Sequence, residues 1–413
     1  MCGTFLFLPW TAVHPECSMN SSTHVPQVIR PASRVAYIDL LRGWAVIVMV
    51  QTHVFNATLV HAITETDLFA NIRFIDGLVA PSFLFASGLA YAITTRRKVK
   101  DYLSFGWPLF RQLGRLLFIL LVGYVLHIPK FNYNHLVNEA GPEAWKVFWQ
   151  VDVLHCIAVS LIFLQILLLL LRSERRLYRT VVGITLAIVF ATPLVWEVDW
   201  WAILPVPIAA YLNGLHYSLF PLFPWSAFLF AGALTGYRYV EARTGQVPGA
   251  EERMMRRTAW VAVVAIALSF ALHPLASGVY PVYDYWRVSP SFYLLRLGIV
   301  LLLCSGMFLF ERTKGVSPNS VVTLFGRESF VVYATHLMII YGNFGKNSIA
   351  QIIGHSFGYI ESSMMTLLLL AMMYALAYVW SRVKRGPART KRTIEMAVLA
   401  GFILVFFFWP LSK

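Results

Sequence analysis

Eleven long apolar segments, separated by short breaks, constrain the fold of this chain more than any other feature of its sequence. A helix that crosses a bilayer needs about 20 predominantly apolar residues, and each segment approaches that length. The chain of 413 residues is 58% hydrophobic and only 13% charged, which leaves too little polar surface for a soluble protein of this size. We therefore predict an all-α fold, a polytopic integral membrane protein with about 11 transmembrane helices. The predicted spans are Ala36–Asn56, Ile72–Ile93, Pro108–His127, Val151–Leu171, Val181–Val198, Leu222–Tyr239, Thr258–Leu275, Phe292–Phe310, Val321–Tyr341, Tyr359–Ser381 and Ile394–Trp409.

The basic residues are concentrated in alternate breaks, and this pattern predicts the orientation of the chain. Cytoplasmic connections of membrane proteins are enriched in Lys and Arg. With the N-terminus inside, the inner segments hold 23 of the 34 Lys and Arg residues, and the outer segments hold 5. We therefore predict a cytoplasmic N-terminus and a C-terminus on the other side. The net charge of +14 then reflects topology, and no nucleic-acid partner is expected.

A single transmembrane domain is predicted over residues 34–413, because no internal repeat or low-complexity tract interrupts the apolar segments. Residues 1–33 are predicted to form a disordered N-terminal tail. Their short apolar patch has no basic region before it and no convincing cleavage site after it, unlike a secretory signal peptide. The four cysteines show neither a metal-binding spacing such as CxxC nor a disulfide framework.

Five ionisable residues lie inside the predicted spans near their outer ends. They are His53 in the first span, Asp76 in the second, Asp152 and His155 in the fourth, and His336 in the ninth. Such groups are costly at membrane depth, so they tend to face a cavity and mark a pathway or a reaction centre. A single intramembrane histidine is more often a packing residue, but three at one depth favour chemistry. Zinc binding is a weaker alternative, because no HxxxH pair is present, and we expect no metal.

An Asp–His pair is the simplest catalytic arrangement that these residues allow. Consecutive spans are usually neighbours, which would bring Asp76 close to His53. A carboxylate in that position would fix the imidazole tautomer and stabilise its cation, as a general base requires. The alternative is that Asp76 merely begins a helix, where carboxylates are favoured. The sequence leaves both interpretations open.

Four arginines are placed toward the cytoplasmic ends of the predicted spans: Arg42, Arg111, Arg115 and Arg327. Guanidinium groups suit the recognition of phosphate and pyrophosphate. Alternatively they are anchors that reach the lipid headgroups, and Arg42 could simply neutralise Asp39 three residues before it. A proton-handling site on one side and a cationic site on the other indicate a transmembrane group-transfer enzyme. The main rival is a proton-coupled transporter or flippase, which predicts inverted repeats that this sequence does not show.

Five segments, taken together and in this order, resemble the transmembrane acyltransferases, in particular the heparan-alpha-glucosaminide N-acetyltransferase-like bacterial membrane proteins. The related acyltransferase-3 family shares the pattern of an arginine and a histidine separated by ten residues, here Arg42 and His53. The segments are YIDLLRG at 37–43, PSFLFASG at 81–88, VDVLHCIAVSL at 151–161, PLFPWSAFLFAGALTG at 221–236 and FGRESFVVYATHL at 325–337.

The resemblance implies a multi-pass acyltransferase of the bacterial inner membrane. Its donor would be acetyl-CoA or another acyl-CoA bound from the cytoplasm, and its acceptor a glycan or glycolipid on the other side. His53 would be the catalytic histidine and Asp76 its partner. The heparan-type enzymes would instead draw their histidine from the loop after the first span, where this chain has His61. Oligomeric state is left open.

Overall fold

The structure, a computed structural model, describes residues 35–245, 247–280, 284–342 and 348–408. Within these ranges the chain is helical and contains no strand beyond one isolated bridge between Leu59 and Phe357, so the predicted all-α fold is confirmed. The predicted tail over residues 1–33 lies outside the described residues. The helices are α1 Ala36–Thr58, α2 His61–Thr64, α3 Asp67–Asp76, α4 Val79–Arg96, α5 Val99–Leu103, α6 Trp107–Leu126, α7 Tyr133–Asn138, α8 Pro142–Phe148, α9 Val153–Leu171, α10 Glu174–Glu197, α11 Val206–Ala209, α12 Leu222–Thr244, α13 Ala250–Val279, α14 Pro290–Lys314, α15 Val321–Arg327, α16 Ser329–Tyr341, α17 Ile349–Ile352, α18 Tyr359–Arg385 and α19 Ala388–Phe408.

Within the described residues, helices occupy all eleven predicted spans, the last one as far as Phe408. Among the described residues, eight helical segments are long and apolar enough to cross a membrane, which makes this a multi-pass membrane protein. The other three predicted spans correspond to α12, to the α15–α16 pair and to α19. The total of eleven and the sides of the two termini stay predictions. The eight segments are Ala36–Thr58, Asp67–Arg96, Trp107–Leu126, Val153–Leu171, Glu174–Glu197, Ala250–Val279, Pro290–Lys314 and Tyr359–Arg385.

Glycines set the closest helix crossing near the predicted arginines. A methyl group on Gly43 of α1 would overlap the carbonyl oxygen of Val322, and one on Gly326 of α15 would overlap the carbonyl oxygen of Asp39. Small residues allow backbones to approach this closely within a membrane. The crossing fixes the inner half of α1, and therefore also the direction in which its outer half carries His53.

Two of the predicted spans are interrupted, and both interruptions hold charged groups. The ninth predicted span breaks at Glu328, a buried residue whose carboxylate lies 2.6 Å from Lys384 Nζ. The second breaks after Asp76, where the buried Arg296 donates a hydrogen bond to the carbonyl of Gly77. Because Asp76 is the last residue of α3, the interpretation that it begins a helix is wrong.

Candidate active site

A large cavity passes through the region that holds the predicted catalytic histidines. Its volume is about 1550 Å³, above the roughly 300–1,000 Å³ of ordinary small-molecule sites. Helices α1, α4, α6, α16, α18 and α19 contribute most of its walls, and most lining side chains are apolar. The polar lining residues of α1, the α6–α9 connection and α16 are His53, Asn56, His127, Gln150, Asp152, Tyr333, Thr335 and Tyr341.

The cavity extends for about 18 Å along α19, from Ile394 to Phe406. The ring of Phe406, near the end of α19, lies 5.5 Å from that of Phe131, which follows α6, so this end of α19 is level with the polar lining residues. Ile394 also lines the cavity but lies twelve residues earlier on α19, about 18 Å away at 1.5 Å per residue. Following the predicted topology, we call the end with the polar residues the outer end and the end with Ile394 and Val383 the inner end.

His53 is half-buried and faces the cavity near its outer end. Its ring centroid lies 5.3 Å from that of His336 and 5.6 Å from that of Tyr341, whose hydroxyl donates to the backbone carbonyl of His53 at 3.1 Å. Among the described residues, none hydrogen bonds to the His53 imidazole. The nitrogens of this ring are therefore available to a substrate in the cavity.

His336 lies behind His53 and is fully buried. Its Nδ1 is 2.8 Å from the carbonyl oxygen of Val332. Because that oxygen can only accept, Nδ1 carries the proton and Nε2 offers a lone pair. Nε2 is buried and has no hydrogen-bond partner in the described part of the chain. The structure therefore pairs the two predicted histidines but exposes only His53.

Asp152 is the acidic centre of the outer end. The residue precedes α9, where its Oδ1 accepts a hydrogen bond from the backbone amide of Val153 at 2.6 Å, and its Oδ2 accepts one from the Tyr333 hydroxyl. Its backbone amide donates to Nδ1 of His155 at 3.1 Å, so the predicted Asp152–His155 pair is a helix-capping arrangement. His155 is fully buried and does not line the cavity, which indicates a structural role.

His127 belongs to this cluster although the sequence interpretation did not single it out. The Gln150 amide donates to its Nδ1 at 2.8 Å, which leaves the proton on Nε2. That Nε2 lies 3.8 Å from Asp152 Oδ2, and the ring is stacked on His155 with a centroid distance of 5.8 Å. Its position at the outer end of the third predicted span, level with the other histidines, was the signal that could have identified it.

A comparison with known families identifies the kind of protein that holds this site. The sequence profile of the heparan-alpha-glucosaminide N-acetyltransferase catalytic domain matches residues 34–275, more than half of the chain. The chain belongs to this family. The family suggested by the sequence resemblance is thereby confirmed, and the protein is a membrane acetyltransferase. None of the curated proteins matches the chain.

The part of this acetyltransferase that matches the family profile supplies only some of the cavity. His53, His127 and Asp152 lie inside residues 34–275, whereas Tyr333 and His336 lie beyond them. Helices α16, α18 and α19, which form the remaining walls, also lie beyond the matched segment.

Asp76 does not pair with His53 in this acetyltransferase. No hydrogen bond joins the two side chains, and the carboxyl of Asp76 lies beside Thr52 and Gln51. The carboxylate that acts electrostatically on His53 is that of Asp152. Asp152 lines the cavity together with His53, whereas Asp76 does not, so the acidic residue that shares this cavity with His53 is Asp152 and not the predicted Asp76.

Arg42 and Arg327 are close together in the fold, on the two helices that cross at the glycines. The half-buried Arg42 donates from Nη2 to Ser329 Oγ at 2.5 Å, and Arg327 donates from Nη1 to the carbonyl of Pro318 at 2.7 Å. Arg42 is seven residues before Met49, a cavity-lining residue, and hence on the same face of α1. Both guanidinium groups thus lie near the inner end but are held by protein oxygens.

Arg111 and Arg115 are exposed on α6. They are seven and three residues before Phe118, and this spacing puts all three on one helix face. Phe118 lines the cavity, as does Val122 one turn later. Arg111 and Arg115 therefore lie on the same face of α6 as the cavity-lining residues, closer to the start of the helix.

His61, the alternative catalytic histidine, is exposed in the short helix α2. Its ring lies against that of His355 with a centroid distance of 4.1 Å and an interplanar angle of 33°, and it does not line the cavity. The geometry therefore favours His53. Within the described ranges, no three His, Cys, Asp or Glu residues are grouped to hold a metal ion.

The outer rim above the polar end is built from the connections before α9 and α12. The backbone amides of Leu219 and Phe220 both donate to the carbonyl of Val151, at 3.1 and 3.0 Å, which ties this loop to the start of α9. Nearby on the rim, Glu143 accepts from Lys146 at 2.6 Å and from the Tyr217 hydroxyl at 2.9 Å. These hydrogen bonds lower the pKa of the Glu143 carboxyl, and its negative charge is balanced by the Lys146 ammonium group.

Proposed function

We propose that this protein transfers an acyl group, acetyl in the first instance, from acyl-CoA on the cytoplasmic side to a sugar-like acceptor on the other side of a bacterial cytoplasmic membrane. The acceptor would be a glycan or a glycolipid. The observation that carries the proposal is the single cavity that joins the free imidazole of His53 to helix ends bearing cations. Membership of an acetyltransferase family supports the reaction class.

In the proposed mechanism His53 acts as general base. Its neutral imidazole removes a proton from the acceptor hydroxyl or amine, whose oxygen or nitrogen attacks the carbonyl carbon of the thioester. The C–S bond then breaks, and the resulting imidazolium returns the proton to the departing CoA sulfur. One C–O or C–N bond is formed, one C–S bond is broken and one proton moves from the acceptor to the CoA sulfur, so the step needs no further co-reactant.

Asp152 supports this chemistry through its charge. The carboxylate acts on His53 across the outer end of the cavity and favours the imidazolium that forms during proton transfer. Tyr333 and His127 hold the carboxylate in place from two other helices. A base oriented by such a network needs little rearrangement at the moment of reaction.

The donor would enter at the inner end. Arg42 is eleven residues before His53, which corresponds to about 16 Å along α1. A narrow, flexible pantetheine arm can cover such a distance inside the cavity while the phosphates stay near Arg42, Arg111, Arg115 and Arg327. This division of the ligand matches a cavity that is apolar along its length and polar at its outer end.

The test is acceptor-dependent release of free thiol from acetyl-CoA by purified protein in nanodiscs. Wild type is compared with His53→Ala and His61→Ala across a panel of glycans and glycolipids. Acceptor-dependent release that is lost in His53→Ala and kept in His61→Ala supports the proposal. Thiol release that is lost only in His61→Ala would identify His61, in the loop, as the base. If wild type and both variants release no thiol with any acceptor, the transporter alternative would be favoured.

A further inference from the structure

The connection between α18 and α19 is strongly basic and lies where the cavity ends. Val383 and Ile394 both line the cavity, and the residues between them include five Lys or Arg side chains. We call the segment Lys384–Arg392 the basic link. Its cations are Lys384, Arg385, Arg389, Lys391 and Arg392.

Two lysines of the basic link are paired with acidic residues that lie in or next to the cavity wall. Lys391 Nζ is 3.5 Å from Glu395 Oε1, and Glu395 lines the cavity. Lys384 Nζ is 2.6 Å from the carboxylate of the buried Glu328, two residues before the lining residue Phe330. Each of these lysines is therefore paired with an acidic residue, which neutralises its charge near the inner end of the cavity.

Two guanidinium groups of the basic link are left without protein partners. Arg389 and Arg392 are exposed, and neither side chain makes a hydrogen bond or ion pair with any residue in the described ranges. They are three residues apart, so they share a face of α19, and Arg392 is three residues before Glu395 on the cavity side. Both lie in the first two turns of a 21-residue helix, where the helix dipole also favours an anion.

Cytoplasmic connections are basic for topological reasons alone, and this explanation applies to every inner break of the chain. It does not account for unpartnered arginines at the mouth of a cavity that leads to a catalytic histidine. Pairs of exposed arginines elsewhere, such as Arg256 and Arg257 on α13, border no wall of this cavity. A role in topology alone can therefore be distinguished from a role in ligand binding by comparing substitutions of Arg389 and Arg392 with substitutions of Arg256 and Arg257.

We propose that the basic link binds the phosphate groups of CoA, with Arg389 and Arg392 as the principal contacts. The proposal rests on the proposed function. It adds the α18–α19 wall, which lies outside the family match, to the arginines predicted on the other walls. Guanidinium groups bind phosphate in bidentate fashion, and the pantetheine arm would continue from this point along the cavity toward His53.

The experiment compares the binding of acetyl-CoA and of S-acetylpantetheine, which lacks the nucleotide and its 3′-phosphate, to the full-length protein in nanodiscs. The test variant is Arg389→Gln/Arg392→Gln, and the matched control is Arg256→Gln/Arg257→Gln, which removes the same charge from another inner break. We expect the test variant to lose about tenfold or more in acetyl-CoA affinity, the effect of one or two charged hydrogen bonds. Acetylpantetheine binding should be unchanged in both variants.

A second variant, Arg389→Lys/Arg392→Lys, keeps the positive charge for topology and should recover part of the affinity. An acetyl-CoA affinity in the Gln variant equal to that of the control would overturn the inference while leaving the proposed function intact. Wild-type protein that binds acetyl-CoA no better than acetylpantetheine would also overturn the inference. Wild type that binds neither thioester would refute the proposed donor itself.

Discussion

The three predicted histidines differ in what they can reach. The ring of His53 faces the cavity and has no hydrogen-bond partner among the described residues. His336 and His155 are completely buried and do not line the cavity. Local hydrogen bonds fix the tautomers of the buried pair, through Val332 in one case and the backbone of Asp152 in the other. The sequence predicted the depth of these three histidines in the membrane, but it did not show which of them faces the cavity.

We expect His336→Asn to retain acetyl transfer within about tenfold of wild type. The Asn amide can replace the hydrogen bond to Val332, and the ring does not touch the cavity directly. By contrast, His53→Ala should lose roughly 10²- to 10⁴-fold, the usual contribution of a general base. Initial rates of thiol release measure both. A loss in His336→Asn as large as that in His53→Ala would mean that His336 Nε2 takes part in proton transfer.

Removal of the Tyr333 hydroxyl should destabilise the outer end. Tyr333→Phe leaves the buried Asp152 Oδ2 without its hydroxyl donor, and we expect a cost of about 1–2 kcal/mol together with a lower rate. Thermal unfolding in detergent and steady-state kinetics are the measurements. Tyr280→Phe, whose hydroxyl donates to the backbone carbonyl of Phe190 away from the cavity, is the control and should change both far less. Equal effects in the two variants would argue against a special role for the Asp152 contact.

At the level of helices, one close crossing and two interruptions decide where the side chains lie. The α1–α15 crossing depends on Gly43 and Gly326. The sequence contains these glycines but does not reveal which residues they pack against. The break at Glu328 separates α15 from α16, whereas the apolar pattern of 321–341 predicts one continuous span. At this interruption the buried carboxylate of Glu328 forms an ion pair with the exposed Lys384, a residue far away in the sequence.

Gly326→Ala should disturb the crossing that positions α1. Its new methyl would overlap the carbonyl oxygen of Asp39, and forced repacking of this kind costs about 1–3 kcal/mol. We expect a lower melting temperature and reduced turnover, because α1 carries His53. Gly306→Ala on α14 has open space around the added methyl and is the control, expected to be neutral or slightly stabilising. An unaltered melting temperature in Gly326→Ala would show that α15 can move away without cost.

At the level of the whole molecule, the cavity is the feature that joins the separate sites. Its walls come from helices at both ends of the chain, including three that lie beyond the family match. The outer end holds His53 and Asp152, and cations lie near the inner end. The proposed transfer across a membrane requires such a separation between the acceptor and the phosphates of the donor.

Filling the cavity should block the donor without unfolding the protein. Val122→Trp on α6 places a large ring in the middle of the cavity wall, and we expect acetyl-CoA turnover to fall by more than about tenfold. Leu186→Trp, on the exposed face of α10, adds a comparable ring toward the lipid and should leave turnover unchanged. Thiol release and the melting temperature are measured for both. Full activity in a folded Val122→Trp variant would rule out this cavity as the donor route.

The sequence by itself determined the all-α membrane fold, the positions of the helices, the family and the level at which His53, Asp152 and His336 lie. These properties are local, because the length and composition of a segment decide whether it can lie in a bilayer. Only the tertiary structure decided that Asp152 and not Asp76 lines the cavity with His53, that His127 joins the cluster, and that His155 is buried away from the cavity wall. Such relations depend on the rotation of each helix about its axis and on where it breaks, and both are settled by packing between segments far apart in the chain.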